Sequence, residues 1–136
     1  MTNEPVDLSV TPFLMFSGDA AKAMKLYTEV FPNSKIENVE EYGADGDGPE
    51  GTVRVATMSL NGQKVMCIDS PVKHEFGFTP AISLYVASSD AETIEQYFTS
   101  LSDGGDVMMP LGEYPFSKKF AWITDRFGVS WQLATV

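Results

Sequence analysis

A chain of 136 residues is long enough for one domain with its own core and needs no covalent staples. Nine Lys plus Arg against 19 Asp plus Glu give a net charge of −10, which excludes a nucleic-acid partner, because phosphate-backbone binding requires basic clusters. The single cysteine, Cys67, excludes an intrachain disulfide and a multi-cysteine zinc site and suits the cytoplasm. With no apolar run near the ~20 residues that cross a bilayer, no membrane partner is expected.

Met1 to Asp7 reads as a loose arm. Leu8 to Phe16, rich in Val, Thr, Leu and Phe, predicts a strand, with Pro12 marking an edge position or a bulge. Ala20, Ala23, Met24, Tyr27, Val30 and Phe31 then recur at the spacing of one helical face, and Pro32-Asn33 ends that helix. Lys35 to Tyr42 predicts a strand, and the acidic, glycine-rich stretch 43–51 a flexible loop. Thr52 to Leu60 and Gln63 to Asp69 flank Asn61-Gly62, a pair suited to the positive φ angles of a type I′ hairpin turn.

A second flexible loop, 70–78, holds the only histidine, His74. Pro80 to Ala87 alternates as a strand, and Ser89 to Glu92 has capping-box form ahead of a helix whose apolar positions are Ala91, Ile94, Tyr97, Phe98 and Leu101. Asp106 to Leu111 predicts a strand and Gly112 to Lys119 a loop. A last hairpin, Phe120 to Thr124 and Val129 to Leu133, turns at Asp125-Arg126-Phe127-Gly128 and carries a tryptophan on each arm.

Shifting the sequence on itself by 71 residues lays Asp19 on Asp90 and the apolar positions of the first helix on those of the second. Each half therefore reads strand, helix, strand, hairpin. The expected fold is α+β: two βαβββ modules, about 8–69 and 78–136, forming an eight-stranded cupped mixed sheet within a single domain, with the two helices on its outer face.

The residues resemble a known group at this point. Two βαβββ modules are similar to the vicinal oxygen chelate superfamily of glyoxalases, extradiol dioxygenases and bleomycin-resistance proteins. PFLMFSGDAAKAMKLYTEVFPNSKI, LNGQ, AISLYV and WITDRFGVSWQL resemble the PhnB-like family, often labelled demethylubiquinone methyltransferase-like. The resemblance implies a homodimer, an expectation shared by the unpaired edges of an open sheet. Catalytic members of the superfamily hold a divalent metal with His or Glu, at places that fall near Pro12, Cys67, Ala81 and Gln132 here. None of these is His or Glu, so no metal is expected. A nucleotide-type methyl donor needs a glycine-rich turn between strand and helix; the glycine-rich segments here do not follow that order, and no cofactor is expected.

Three residues are candidates for catalysis. Cys67 is either a nucleophile or soft ligand in the cup, or a small buried hydrophobe. Asp69, on the same strand face, is either a cup carboxylate acting as a base or single metal ligand, or a turn-forming strand end. His74 is either a proton carrier or a solvated loop side chain. Ser83, Tyr85, Ser130 and Gln132 alternate away from apolar positions and either bind a small molecule or satisfy one another; Tyr114, Phe116 and Trp122 would add aromatic lining or core filling. The reading is a small-molecule-binding protein without the usual metal. A lyase, isomerase or methyltransferase acting on a small organic substrate is the alternative, and a pure interaction module the third.

Overall fold

A computed structural model describes residues 7–136. Apart from Asp7, the arm expected at the start lies outside the described residues. The chain divides into two compact units between Lys73 and His74, inside the loop that the repeat placed between modules.

The first unit contains β1 (Phe13–Phe16), α1 (Ala20–Val30), β2 (Lys35–Glu41), β3 (Val53–Leu60) and β4 (Gln63–Asp69). Its four-stranded sheet runs β1-β4-β3-β2, parallel between β1 and β4 and antiparallel elsewhere. β1 is an edge strand, as Pro12 implies, and it starts after that proline, whose carbonyl still accepts a hydrogen bond from Met66 N at 2.8 Å. The Asn61-Gly62 turn takes φ 48° and 92°, the positive pair expected of a type I′ hairpin. Helix α1 buries Ala20, Ala23, Met24 and Tyr27 and packs on β3 and β4. Ala56, Met58, Val65, Cys67 and Asp69 are buried beneath it, with Ala56 opposite Cys67 and Met58 opposite Val65. Full burial of a side chain such as Met24 contributes about 1.5–3 kcal/mol.

The second unit contains β5 (Leu84–Ser88), α2 (Ala91–Ser102), β6 (Asp106–Tyr114), β7 (Ser117–Thr124) and β8 (Ser130–Thr135). The sheet order is β5-β8-β7-β6, again parallel only for its first pair. Helix α2 packs on β7 and β8, over Ala121, Ile123, Trp131 and Leu133, each at most 1% exposed. Among the described residues the eight strands and two helices are those the sequence implies, four strands and one helix in each unit.

Three local expectations are corrected. The stretch from Gly112 to Lys119 is not a loop: β6 runs on to Tyr114 and β7 starts at Ser117, with register shifts around Gly112 absorbing the irregularity. The strand expected from Pro80 starts at Leu84. Helix α2 is capped by Asp90 rather than Ser89, its carboxylate accepting from Glu92 N at 3.1 Å and from Thr93 Oγ1 at 2.9 Å.

Candidate ligand-binding face

Cys67 and Asp69 are brought together, but on the face of β4 that α1 covers. Asp69 is 2% exposed, and its carboxylate accepts three backbone N–H bonds. Gly18 N at 2.8 Å and Ala20 N at 3.0 Å bind Oδ1, and Val53 N at 2.9 Å binds Oδ2. One side chain thus ties the start of α1 and the start of β3 to the end of β4. Asp19, at the N-cap of α1, makes no side-chain cap bond; Asp69 takes that place. Burial, followed by the neighbouring Asp69 charge, pushes the Cys67 thiol up from 9.0 to about 12. A thiol held protonated in this way is a poor nucleophile at neutral pH.

His74 begins the second unit, half-buried in the loop and stacked on Phe76 at 4.7 Å between ring centroids.

The uncovered face of the second sheet gathers five of the predicted ligand-binding residues. Sheet pairing sets Tyr85 beside Gln132 and Gln132 beside Trp122, one row across β5, β8 and β7. Ser130 lies two residues from Gln132 on β8, and Ser83 two residues before Tyr85, so both share that face. Trp122 Nε1 donates to Ser130 Oγ at 2.8 Å. The two serine hydroxyls are 2.6 Å apart, and Gln132 Nε2 donates to Ser83 Oγ at 3.3 Å. The result is a four-residue polar relay of uncharged groups. Ser130 is 2% exposed and Tyr85 60% exposed, while Ser83, Trp122 and Gln132 are half-buried. The relay runs from a closed interior position to an accessible surface.

Tyr114 and Phe116 lie elsewhere in the unit, at the β6–β7 turn. Their rings stack at 5.7 Å, and each meets Phe120 edge-on, at 5.6 and 4.8 Å. They line an open depression of about 920 Å³ with Ser89, Glu113, Lys118 and Thr135.

Sequence reasoning missed Asp125 as more than a turn residue. It is 3% exposed; Oδ1 accepts from Phe127 N at 2.8 Å and Val129 N at 3.1 Å, and Oδ2 from Trp131 Nε1 at 2.9 Å. That carboxylate holds the β7–β8 turn, with Gly128 at φ 92°, and so sets the strand that carries Ser130 and Gln132. The available signal was an Asp three residues before a Gly and six before a Trp.

The donor set does not fit the divalent ion of metal-using relatives. Pro12 and Ala81 precede β1 and β5, and Cys67 lies beneath α1. The uncovered-face residues of the parallel pairs are Phe13 beside Met66, Met15 beside Ile68, Tyr85 beside Gln132 and Ala87 beside Ala134, which supply no imidazole or carboxylate. Among the described residues there is no group of three His, Cys, Asp or Glu arranged to hold a metal. A nucleotide-type methyl donor fits no better at the helix starts, where Asp69 and Asp90 already occupy N–H groups that such a ligand would need. Among the described residues no helix is long and apolar enough to cross a membrane.

A family model described as 3-demethylubiquinone-9 3-methyltransferase matches residues 8–134. A solved structure of a putative 3-demethylubiquinone-9 3-methyltransferase, PhnB protein, from Bacillus cereus is 53% identical, with TM-score 0.91 over 93% of this chain and 98% of its own. Protein YjdN of Escherichia coli (strain K12) is 21% identical over 95% of this chain and 96% of its own length. A fosfomycin resistance protein, FosX, from Listeria monocytogenes, solved with Mn(II) and sulfate ion, is 9% identical. It has TM-score 0.64 over 96% of this chain and 90% of its own, a likeness of fold alone.

Proposed function

We propose, on the premise that this chain belongs to the family described as 3-demethylubiquinone-9 3-methyltransferase, that it binds a small, neutral, planar organic molecule without a divalent ion. The ligand lies on the uncovered face of the second sheet. The observation that carries this reading is the relay of Trp122, Ser130, Ser83 and Gln132, set beside the exposed ring of Tyr85. Rings supply stacking area and the relay supplies orientation, while no charged side chain belongs to the group.

An enzymatic reading requires at least two titratable groups meeting where a substrate can reach them. Cys67 and Asp69 meet, but both are buried under α1, and the Asp69 carboxylate is committed to three backbone N–H groups. Family membership supports the fold more than the methyl transfer in the family's description.

The protein acts as a homodimer. Leu8, Val10 and Phe13 in the first unit and Ile82 in the second are each more than half exposed, apolar surface that a second copy would cover. Sedimentation as a monomer at micromolar concentration would contradict this. A lone, free, buried thiol suits the cytoplasm.

Isothermal titration with carbostyril, a planar neutral lactam, tests the function on protein stripped with EDTA. Saturable binding that Mn(II), Ni(II) and Zn(II) leave unchanged is the expected result. Binding that appears only after one of these ions is added contradicts the metal-free reading, and absence of binding under all conditions contradicts the ligand class.

A further inference from the structure

The relay has a direction that its burial fixes. Ser130 Oγ accepts from Trp122 Nε1 at 2.8 Å and meets Ser83 Oγ at 2.6 Å. If Ser83 were the donor between the two hydroxyls, Ser130 would accept twice and its own proton would need an acceptor elsewhere. Ser130 is 2% exposed, so water does not serve, and among the described residues it has no further polar partner. A buried donor left unpaired is costly. With Ser130 donating to Ser83 and accepting from Trp122, the buried serine's one proton is paired.

The half-buried end of the relay is then determined. Ser83 Oγ accepts from Ser130 and from Gln132 Nε2, at 2.6 and 3.3 Å. A serine hydroxyl has two acceptor lone pairs and one proton, so only its O–H remains to give. Gln132 spends one amide N–H on Ser83 and keeps Oε1 as an acceptor.

We infer that the site presents an outward hydroxyl donor, Ser83 O–H, next to an outward amide acceptor, Gln132 Oε1, and selects a neutral planar ring carrying adjacent acceptor and donor groups, as on the edge of a lactam. This rests on the binding reading above and adds the polarity of the ligand. The ligand carbonyl accepts from Ser83, its N–H donates to Gln132, and its ring lies against Trp122 and Tyr85. Charged ligands are disfavoured, because neither of these site groups supplies a countercharge.

Three probes of similar shape separate the possibilities: carbostyril with acceptor and donor, N-methylcarbostyril with the acceptor alone, and naphthalene with neither. Binding is measured by titration, with the Trp122 indole N–H resonance reporting the location. Affinity should fall in that order, by about tenfold or more from first to last. Ser83→Ala should bring N-methylcarbostyril down to the level of naphthalene. Gln132→Leu should remove the difference between the two lactams. An unshifted Trp131 indole resonance verifies that each variant keeps its fold. If naphthalene binds wild-type protein as tightly as carbostyril while moving the Trp122 signal, the inferred polarity is overturned and the binding face stands. If none of the probes moves that signal, the functional reading itself fails.

Discussion

The two units share one plan and spend their polar groups on opposite faces. At the last matched step of the parallel pairs, Phe16 lies beside Asp69 and Ser88 beside Thr135. Asp69 accepts three backbone bonds there, two of them buried, whereas Thr135 Oγ1 has no hydrogen-bond partner among the described residues. The second unit carries its buried carboxylate at the β7–β8 turn instead, as Asp125. The uncovered faces differ as well. The row Phe13, Met66 and Thr57 of the first sheet corresponds to Tyr85, Gln132 and Trp122 of the second. Only the second joins aromatic rings to an uncharged hydrogen-bonding relay. A repeated module can thus keep its hydrogen-bonding scaffold in one copy and adapt its open face in the other.

Substitutions at the matched positions should break this comparison in graded steps. Asp69→Ala leaves two buried N–H groups and one part-buried one without their acceptor and should cost about 3–5 kcal/mol, read from urea unfolding. Asp69→Asn, which retains one acceptor oxygen, should cost less.

The thiol beside Asp69 gives a pH-dependent contrast. Its folded pKa of about 12 exceeds the ordinary value of 9.0, so the unfolded chain loses this proton first as pH rises. Stability from Cys67 is therefore complete below pH 9.0 and declines between 9.0 and about 12. Near the middle of that window, wild type should lose about 1.4 kcal/mol per pH unit more than Cys67→Ala. Parallel unfolding curves for the two proteins across the window would refute the buried-thiol account.

Ser130→Ala removes the acceptor of Trp122 Nε1 and should cost about 1 kcal/mol, with a larger proportional loss in carbostyril affinity than in stability. Thr135→Val should be the mildest change. It removes an unpartnered hydroxyl, so it should be neutral or stabilise by up to about 1 kcal/mol, the opposite sign from its counterpart Asp69→Ala.

Much of the fold was legible because periodicity reports directly on burial. The α1 positions Ala20, Ala23, Met24 and Tyr27 are buried as their spacing implies, and the hairpin turns at Asn61-Gly62 and Gly128 have the expected positive φ. The β6–β7 hairpin was not legible, since Gly112 and Pro115 carry the composition of a loop and register shifts conceal the alternation. Within the site, the alternation placed Ser130 and Gln132 opposite Trp131. Sequence also put Cys67 and Asp69 on one face of β4, but both faces of that strand carry apolar residues, Val65 on one and Met66 and Ile68 on the other. Alternation therefore could not say which face α1 covers. Asp125 escaped for a similar reason: a turn Asp reads the same whether its carboxylate is solvated or holds a buried indole.

The two tryptophans offer the most direct test, because adjacent strands place their indole groups in opposite settings. Trp131 Nε1 is bound to Asp125 in the core, and Trp122 Nε1 to Ser130 on the open face. Titration with carbostyril, followed through both indole N–H resonances, should shift the Trp122 signal to saturation and leave Trp131 in place. A stationary Trp122 signal, or a shift confined to Trp131, would contradict the assignment of this face as the binding site.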